Sequence, residues 1–151
     1  MKLLNPDFLV IGLDNGIITG WNLSSNSFNN IEAHQGGAIM VIKMHGNYLI
    51  TADRKGIIQI RDMTQGYALA TQEIPTTDSS PGKPQPPNAI ISLTVVETKG
   101  EFVIFAGHIN GIVTAARVID PQNIIISQFG AFNGKELNGR QRVQTIYPMK
   151  D

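Results

Sequence analysis

Three segments of the 151-residue chain repeat one short passage: a β-branched run, a tight turn ending in glycine, and a second β-branched run. They are Val10–Asn22, Ile50–Asp62 and Phe105–Arg117, and their turn glycines are Gly16, Gly56 and Gly111. The glycines are spaced by 40 and 55 residues, and the longer interval holds a proline-rich stretch, Thr76–Pro87, whose removal leaves 43. A period of roughly 40 to 45 residues constrains the fold more than any single motif, because each unit must bury its apolar faces against the next.

The runs between turn signals are short and rich in Ile, Val, Leu, Thr and Phe, and no window sustains a helical stripe of apolar residues. The expected strands are Phe8–Gly12, Ile17–Asn22, Ile39–Met44, Tyr48–Ala52, Ile57–Asp62, Tyr67–Glu73, Ala89–Val96, Phe102–Gly107, Ile112–Ile119, Asn123–Phe129 and Arg142–Pro148. Runs such as Ile57–Ile60 and Ile90–Leu93 carry apolar residues on both faces, which requires sheets covered on both sides. Four strands per unit at this period make the expected fold all-β, with about three propeller blades of four antiparallel strands in one domain over residues 1–151. The alternative is an unrelated antiparallel sandwich. The blade count reads as strands two to four of a leading blade, two full blades, and a trailing innermost strand at Arg142–Pro148. Fewer than four blades leave a ring open, so the chain is expected to be part of a larger propeller or to close with a second copy. In the latter case each trailing strand would complete the other copy's leading three.

Twelve basic and twelve acidic side chains give a formal charge of zero, which argues against a field-driven nucleic-acid or membrane-surface binder. With no cysteine, thiolate metal sites, disulfides and cysteine nucleophiles are excluded. Asn5, Pro6 and Asp7 interrupt the apolar start before a signal sequence forms, and no run approaches the roughly 18 apolar residues of a membrane helix. The expected location is the cytoplasm or nucleus.

The repeats resemble the Trp-Asp (WD) repeat β-propeller family. Trp21-Asn22 and Arg61-Asp62 stand at its Trp-Asp position, and Ala116-Arg117 is a degenerate copy. His34, in Glu32–Ile39, matches the family's histidine before the innermost strand, and Gly46–Ala52 matches the turn and strand that follow. The family's hydrogen-bonded set of His, Ser/Thr, Asp and Trp is incomplete in every repeat. The middle one has His34 and Thr51, while Lys55 and Arg61 replace the turn Asp and the Trp. The resemblance implies protein scaffolding through loops on the blade rims, with other proteins as partners.

His34 is therefore read as a structural hydrogen-bonding residue, and His45 and His108 as surface residues at a turn and a strand end. No metal-spaced pair, nucleophile elbow or phosphate loop is present, so no catalytic, metal or cofactor role is assigned to any residue. Asp14-Asn15-Gly16 lacks the closing Glu of a calcium loop and is expected to form a type I′ hairpin turn. The proline-rich insert at 76–87 cannot pair as a strand. Its Pro81, Pro84 and Pro87 have the spacing that aromatic grooves accept, and Ser80 could take a proline-directed phosphate, which makes it a candidate partner loop. Asn133–Arg142 gathers three positive charges around Glu136 and reads as a solvated loop. The chain is thus expected to be a non-catalytic interaction scaffold. The alternative is a propeller enzyme or sugar-binding module with a site at the central funnel, although no repeated acidic position supplies one.

Overall fold

The computed structural model describes residues 2–5, 7–63, 68–73, 89–120, 123–130 and 146–147. These form three four-stranded antiparallel sheets, each a simple meander in chain order. The first contains β1 (Lys2–Asn5), β2 (Phe8–Gly12), β3 (Ile17–Asn22) and β4 (Ser27–Glu32). The second contains β5 (Ile39–His45), β6 (Tyr48–Asp53), β7 (Ile57–Asp62) and β8 (Ala68–Glu73). The third contains β9 (Ile90–Thr98), β10 (Glu101–His108), β11 (Ile112–Asp120) and β12 (Asn123–Gly130). The described residues include no α-helix.

The three repeated glycine turns join the two middle strands of successive sheets. In each, the glycine N–H donates to the carbonyl three residues back: Gly16 to Leu13, Gly56 to Asp53 and Gly111 to His108. The glycines lie at φ +86°, +89° and +84°, whereas Asn15 is not among the residues of positive φ. The turn is therefore a type I turn followed by a left-handed glycine, not the expected type I′. Asn15 accepts the Ile17 N–H at its side-chain oxygen instead of entering the left-handed region, and Asn110 does the same for Ile112. Two consecutive positive φ angles occur at Lys99 and Gly100, in the two-residue turn between β9 and β10.

Two expectations about strand count change. The first sheet has its own innermost strand, β1, which pairs Lys2 with Val10 and Leu3 with Leu9. Asn5 and Pro6 cut its apolar run to four residues, which hides it in the sequence. The sheet's outer strand, β4, is the fourth strand that the blade count expects, although Asn29 and Asn30 keep it out of the apolar runs that mark the others. With four strands in place, the leading sheet has no gap for a trailing strand to fill, so the strand-exchanged closure is overturned. Of the expected trailing strand, only Ile146 and Tyr147 are described, and neither is in a strand. The Thr94 hydroxyl of β9 donates to the Ile146 carbonyl. The insert 76–87, with Ser80, Pro81, Pro84 and Pro87, and the loop 133–142 lie outside the described residues.

The sheets stack in sequence, and strand alternation sends the middle sheet's residues to both neighbours. Leu49 of β6 packs with Val10, Ile18 and Ala33 between the first and second sheets. Its neighbour Ile50 turns the other way and packs with Ala52, Ile58, Ile60, Ile90, Ile104 and Val118 between the second and third. Leu49 and Ile50 are both 0% exposed, so the middle sheet is buried on both faces, as its two-sided apolar runs require.

Candidate functional site

Five of the nine buried polar residues described, His34, Thr51, Asp53, Gln59 and Arg61, gather at one face of the second sheet, the face turned toward the first. Alternation along β6 places Leu49, Thr51 and Asp53 on this face, and the β7 register sets Arg61 opposite Leu49 and Gln59 opposite Thr51. His34 enters from the segment between the first two sheets, where its backbone N–H donates to the Gly16 carbonyl. Its ring is 1% exposed and is held at both ends: Nδ1 lies 3.0 Å from Asp53 Oδ2, and Nε2 lies 2.8 Å from Thr51 Oγ1. Because a carboxylate only accepts, Nδ1 carries the proton toward Asp53, and a neutral ring then accepts the Thr51 hydroxyl at Nε2.

Asp53 is the residue that sequence reasoning missed. The resemblance places the turn carboxylate at position 55, where Lys55 stands, but the carboxylate arrives two residues earlier, at the first position of the turn. Its Oδ1 accepts the N–H groups of Lys55 at 2.9 Å and Ile57 at 2.8 Å, while Oδ2 takes His34. A signal for it exists in the sequence, since Asp53 shares the strand parity of Thr51. Burial alone would raise the Asp53 pKa, but the His34 hydrogen bond, the two backbone N–H groups and the attraction of His34 outweigh it and hold the carboxyl below 3.8. Lys55 instead reaches across to donate to the Gln35 carbonyl at 2.7 Å.

Arg61 fills the position where the first repeat has a tryptophan. It is 2% exposed, its Nη2 donates to Gln59 Oε1, and the Gln59 amide in turn donates to the Ala33 carbonyl. Its Nε has no hydrogen-bond partner among the described residues, and burial lowers its pKa. A buried cation with an unmade hydrogen bond opposes folding, so Arg61→Met is expected to raise stability or to lower it by no more than about 1 kcal/mol. Urea unfolding checks this, and a loss of about 3 kcal/mol or more, the cost of breaking a needed ion pair, would show that the charge is required.

The other expected positions are dispersed. Trp21 is half-buried on the outward face of the first sheet, where it stacks on Phe28 at 5.3 Å and donates through Nε1 to Asn26 Oδ1 at 3.2 Å. Asn22 accepts the N–H groups of Ser24 and Ser25 in the turn after β3. Asp62 lines a cleft of about 290 Å³ between the second and third sheets, with His45, Tyr48, Phe102, Glu97 and Asp120. His108 is a correction: it is 0% exposed, not a surface residue, and its Nε2 meets Thr114 Oγ1 at 2.8 Å. His108 occupies in the third sheet the place of Asp53 in the second, three residues before the turn glycine. A second cleft, of about 280 Å³, opens above His34 and is lined by Asn15, Gly16, Ile17, Gln35 and Gly36. Among the described residues, no three His, Asp or Glu side chains converge as a metal site, and no helix is long and apolar enough to cross a membrane.

No protein-family model and no curated protein matches the chain. Solved structures do. The crystal structure of the computationally designed Ika8 protein matches with a TM-score of 0.61 at 14% identity, over 86% of this chain and 36% of that one. The designed Ika4 protein matches with a TM-score of 0.54 at 14% identity, over 81% of this chain and 66% of that one. Both are designed propellers, so the three sheets are similar to propeller blades, and the chain spans about a third of Ika8 and just under two thirds of Ika4.

Proposed function

We propose that the chain is a non-catalytic protein–protein interaction scaffold built from WD-repeat-like propeller blades, forming part of a larger propeller or multi-protein complex. The observation that carries this reading is the use made of His34. Both of its ring nitrogens are engaged, its exposure is 1%, and its partner Asp53 spends its remaining oxygen on two backbone N–H groups. A general base must present a free nitrogen to a substrate. This ring instead ties the segment between the sheets to the face of the second, which is a positioning role. The repeated turns at Gly16, Gly56 and Gly111 provide loops of the kind that scaffolds vary to recruit partners.

The reading is tested by immobilising the 151-residue chain, recovering bound proteins and identifying them by mass spectrometry. A scaffold retains a partner at close to one-to-one stoichiometry through washing. Retention of nothing at stoichiometric level, together with turnover of a small molecule by the purified chain, would favour the enzyme reading instead.

A further inference from the structure

We infer that the outward face of the first sheet receives the third sheet of a second copy of this chain, stacked head to tail. The inference rests on the scaffold reading above only in taking the three sheets as consecutive blades. The repeat makes equivalent positions comparable by their distance from the turn glycine. Seven residues before it stand Leu9, Leu49 and Ile104; five before, Ile11, Thr51 and Ala106; five after, Trp21, Arg61 and Ala116. In the second and third sheets all six of these residues are at most 3% exposed, because the preceding sheet covers them. In the first sheet Leu9, Ile11 and Trp21 are only half-buried, and Phe28, stacked on Trp21, is 60% exposed. The face is built as the other two are, and no described sheet covers it.

The third sheet presents the matching surface. Phe105, six residues before Gly111, is equivalent to Val10 and Ile50, which are 1% and 0% exposed against the sheet that follows them. Phe105 itself is half-buried, as are Val103 and Ala115 on the same face. Thr94, paired opposite Phe105, donates to the Ile146 carbonyl at the β9 edge of this face.

Charge fits the same register. Between the second and third sheets, Asp62, six residues after its turn glycine, shares a cleft with Phe102 and Val118, nine before and seven after theirs. Moved one interface along, the Asp62 position is Arg117, and the Phe102 and Val118 positions are Asp7 and Leu23. Arg117 is exposed and pairs at 2.6 Å with Glu101, and Asp7 is exposed. The stacked copies therefore bring a cation to an anion at the rim, and aromatic and aliphatic side chains to one another at the centre. A contact between two different faces is heterologous, and two copies can use it twice to close on each other.

The test is light scattering on the purified chain over a concentration series, read alongside the emission of Trp21, the sole tryptophan. Association with a blue shift of that emission is expected. Leu9→Asp and Phe105→Asp should each give a folded monomer, and mixing the two should restore a one-to-one dimer through the one intact face on each. Arg117→Asp should weaken association about tenfold, and adding Asp7→Arg to the same chain should restore it. Far-UV circular dichroism establishes folding, and if an apolar-face variant unfolds, the wild-type series and the charge exchange decide. A wild-type chain that stays monomeric with water-exposed Trp21 emission overturns the inference. So does a dimer lost in Leu9→Asp but intact in Phe105→Asp, since that would pair two like faces. A folded monomer that still retains a protein partner stoichiometrically overturns the pairing while leaving the scaffold reading in place.

Discussion

Asp53→Ala is expected to cost about 3 kcal/mol or more of folding stability, because it strips several buried donors of their acceptor and each one left unsatisfied costs about 1–3 kcal/mol. The carboxylate satisfies His34 and the N–H groups of Lys55 and Ile57, all within 3.0 Å. Removing it leaves three donors to find water in a site that is 0% exposed at Asp53. Asp53→Asn separates charge from shape. It keeps one acceptor oxygen but presents an NH₂ group toward one of these donors, so its cost should fall between those of wild type and Asp53→Ala. Urea unfolding at neutral pH measures both.

The pH dependence follows from the same contacts. The folded-state pKa of Asp53 is held below its ordinary 3.8, so the unfolded chain takes up the proton first as pH falls. Its contribution is fully present above 3.8 and is lost as pH falls through the lower folded value. Wild type should therefore lose stability on acidification below about pH 4 more steeply than Asp53→Asn, whose amide does not titrate. Equal acid slopes would show that the folded chain does not lower the Asp53 carboxyl pKa in solution.

The repeat is legible because its carriers are local. A left-handed residue after a type I turn demands glycine at 16, 56 and 111 whatever packs around it, and the β-branched runs on either side can pair only with each other. What the sequence hides depends on residues far apart along the chain. β1 is a strand because β2 is there to pair with it, not because four residues have strand character of their own. Asp53 is a partner for His34 only once β5 and β6 have folded back and brought it, 19 residues along the chain, to the ring. His108 looks like a strand-end surface residue because nothing local says that the folded chain buries it. Trp21 misleads in the opposite direction: it sits at the resemblance's most diagnostic position, yet lies on a face that no described sheet covers. The resemblance locates the site's histidine and hydroxyl, and the geometry supplies its carboxylate.

Gly16→Val is expected to be the most damaging single change at any turn, costing about 4 kcal/mol or more. Backbone strain and a steric clash combine there. Holding a β-branched residue near φ +86° costs roughly 1–2 kcal/mol by itself. The clash costs more, because a Cβ at this position would overlap the His34 carbonyl oxygen and lie 2.8 Å from its carbon. That carbonyl belongs to a fixed backbone segment: the His34 N–H donates to the Gly16 carbonyl at 3.0 Å, and the His34 carbonyl accepts the Gly37 N–H at 2.8 Å. Relieving the overlap must therefore move His34 away from Asp53 and Thr51. Gly46→Val isolates the backbone strain, since Gly46 also has a positive φ, +53°, but an added Cβ there meets nothing within 4 Å. Its cost should stay at about 1–2 kcal/mol. If Gly16→Val acts through His34, its effect and that of Asp53→Ala will not add. The double variant should be less destabilised than the sum by about 1 kcal/mol or more, within the usual range for residues in one network. Strict additivity would show that the turn at Gly16 and the buried histidine network are energetically separate.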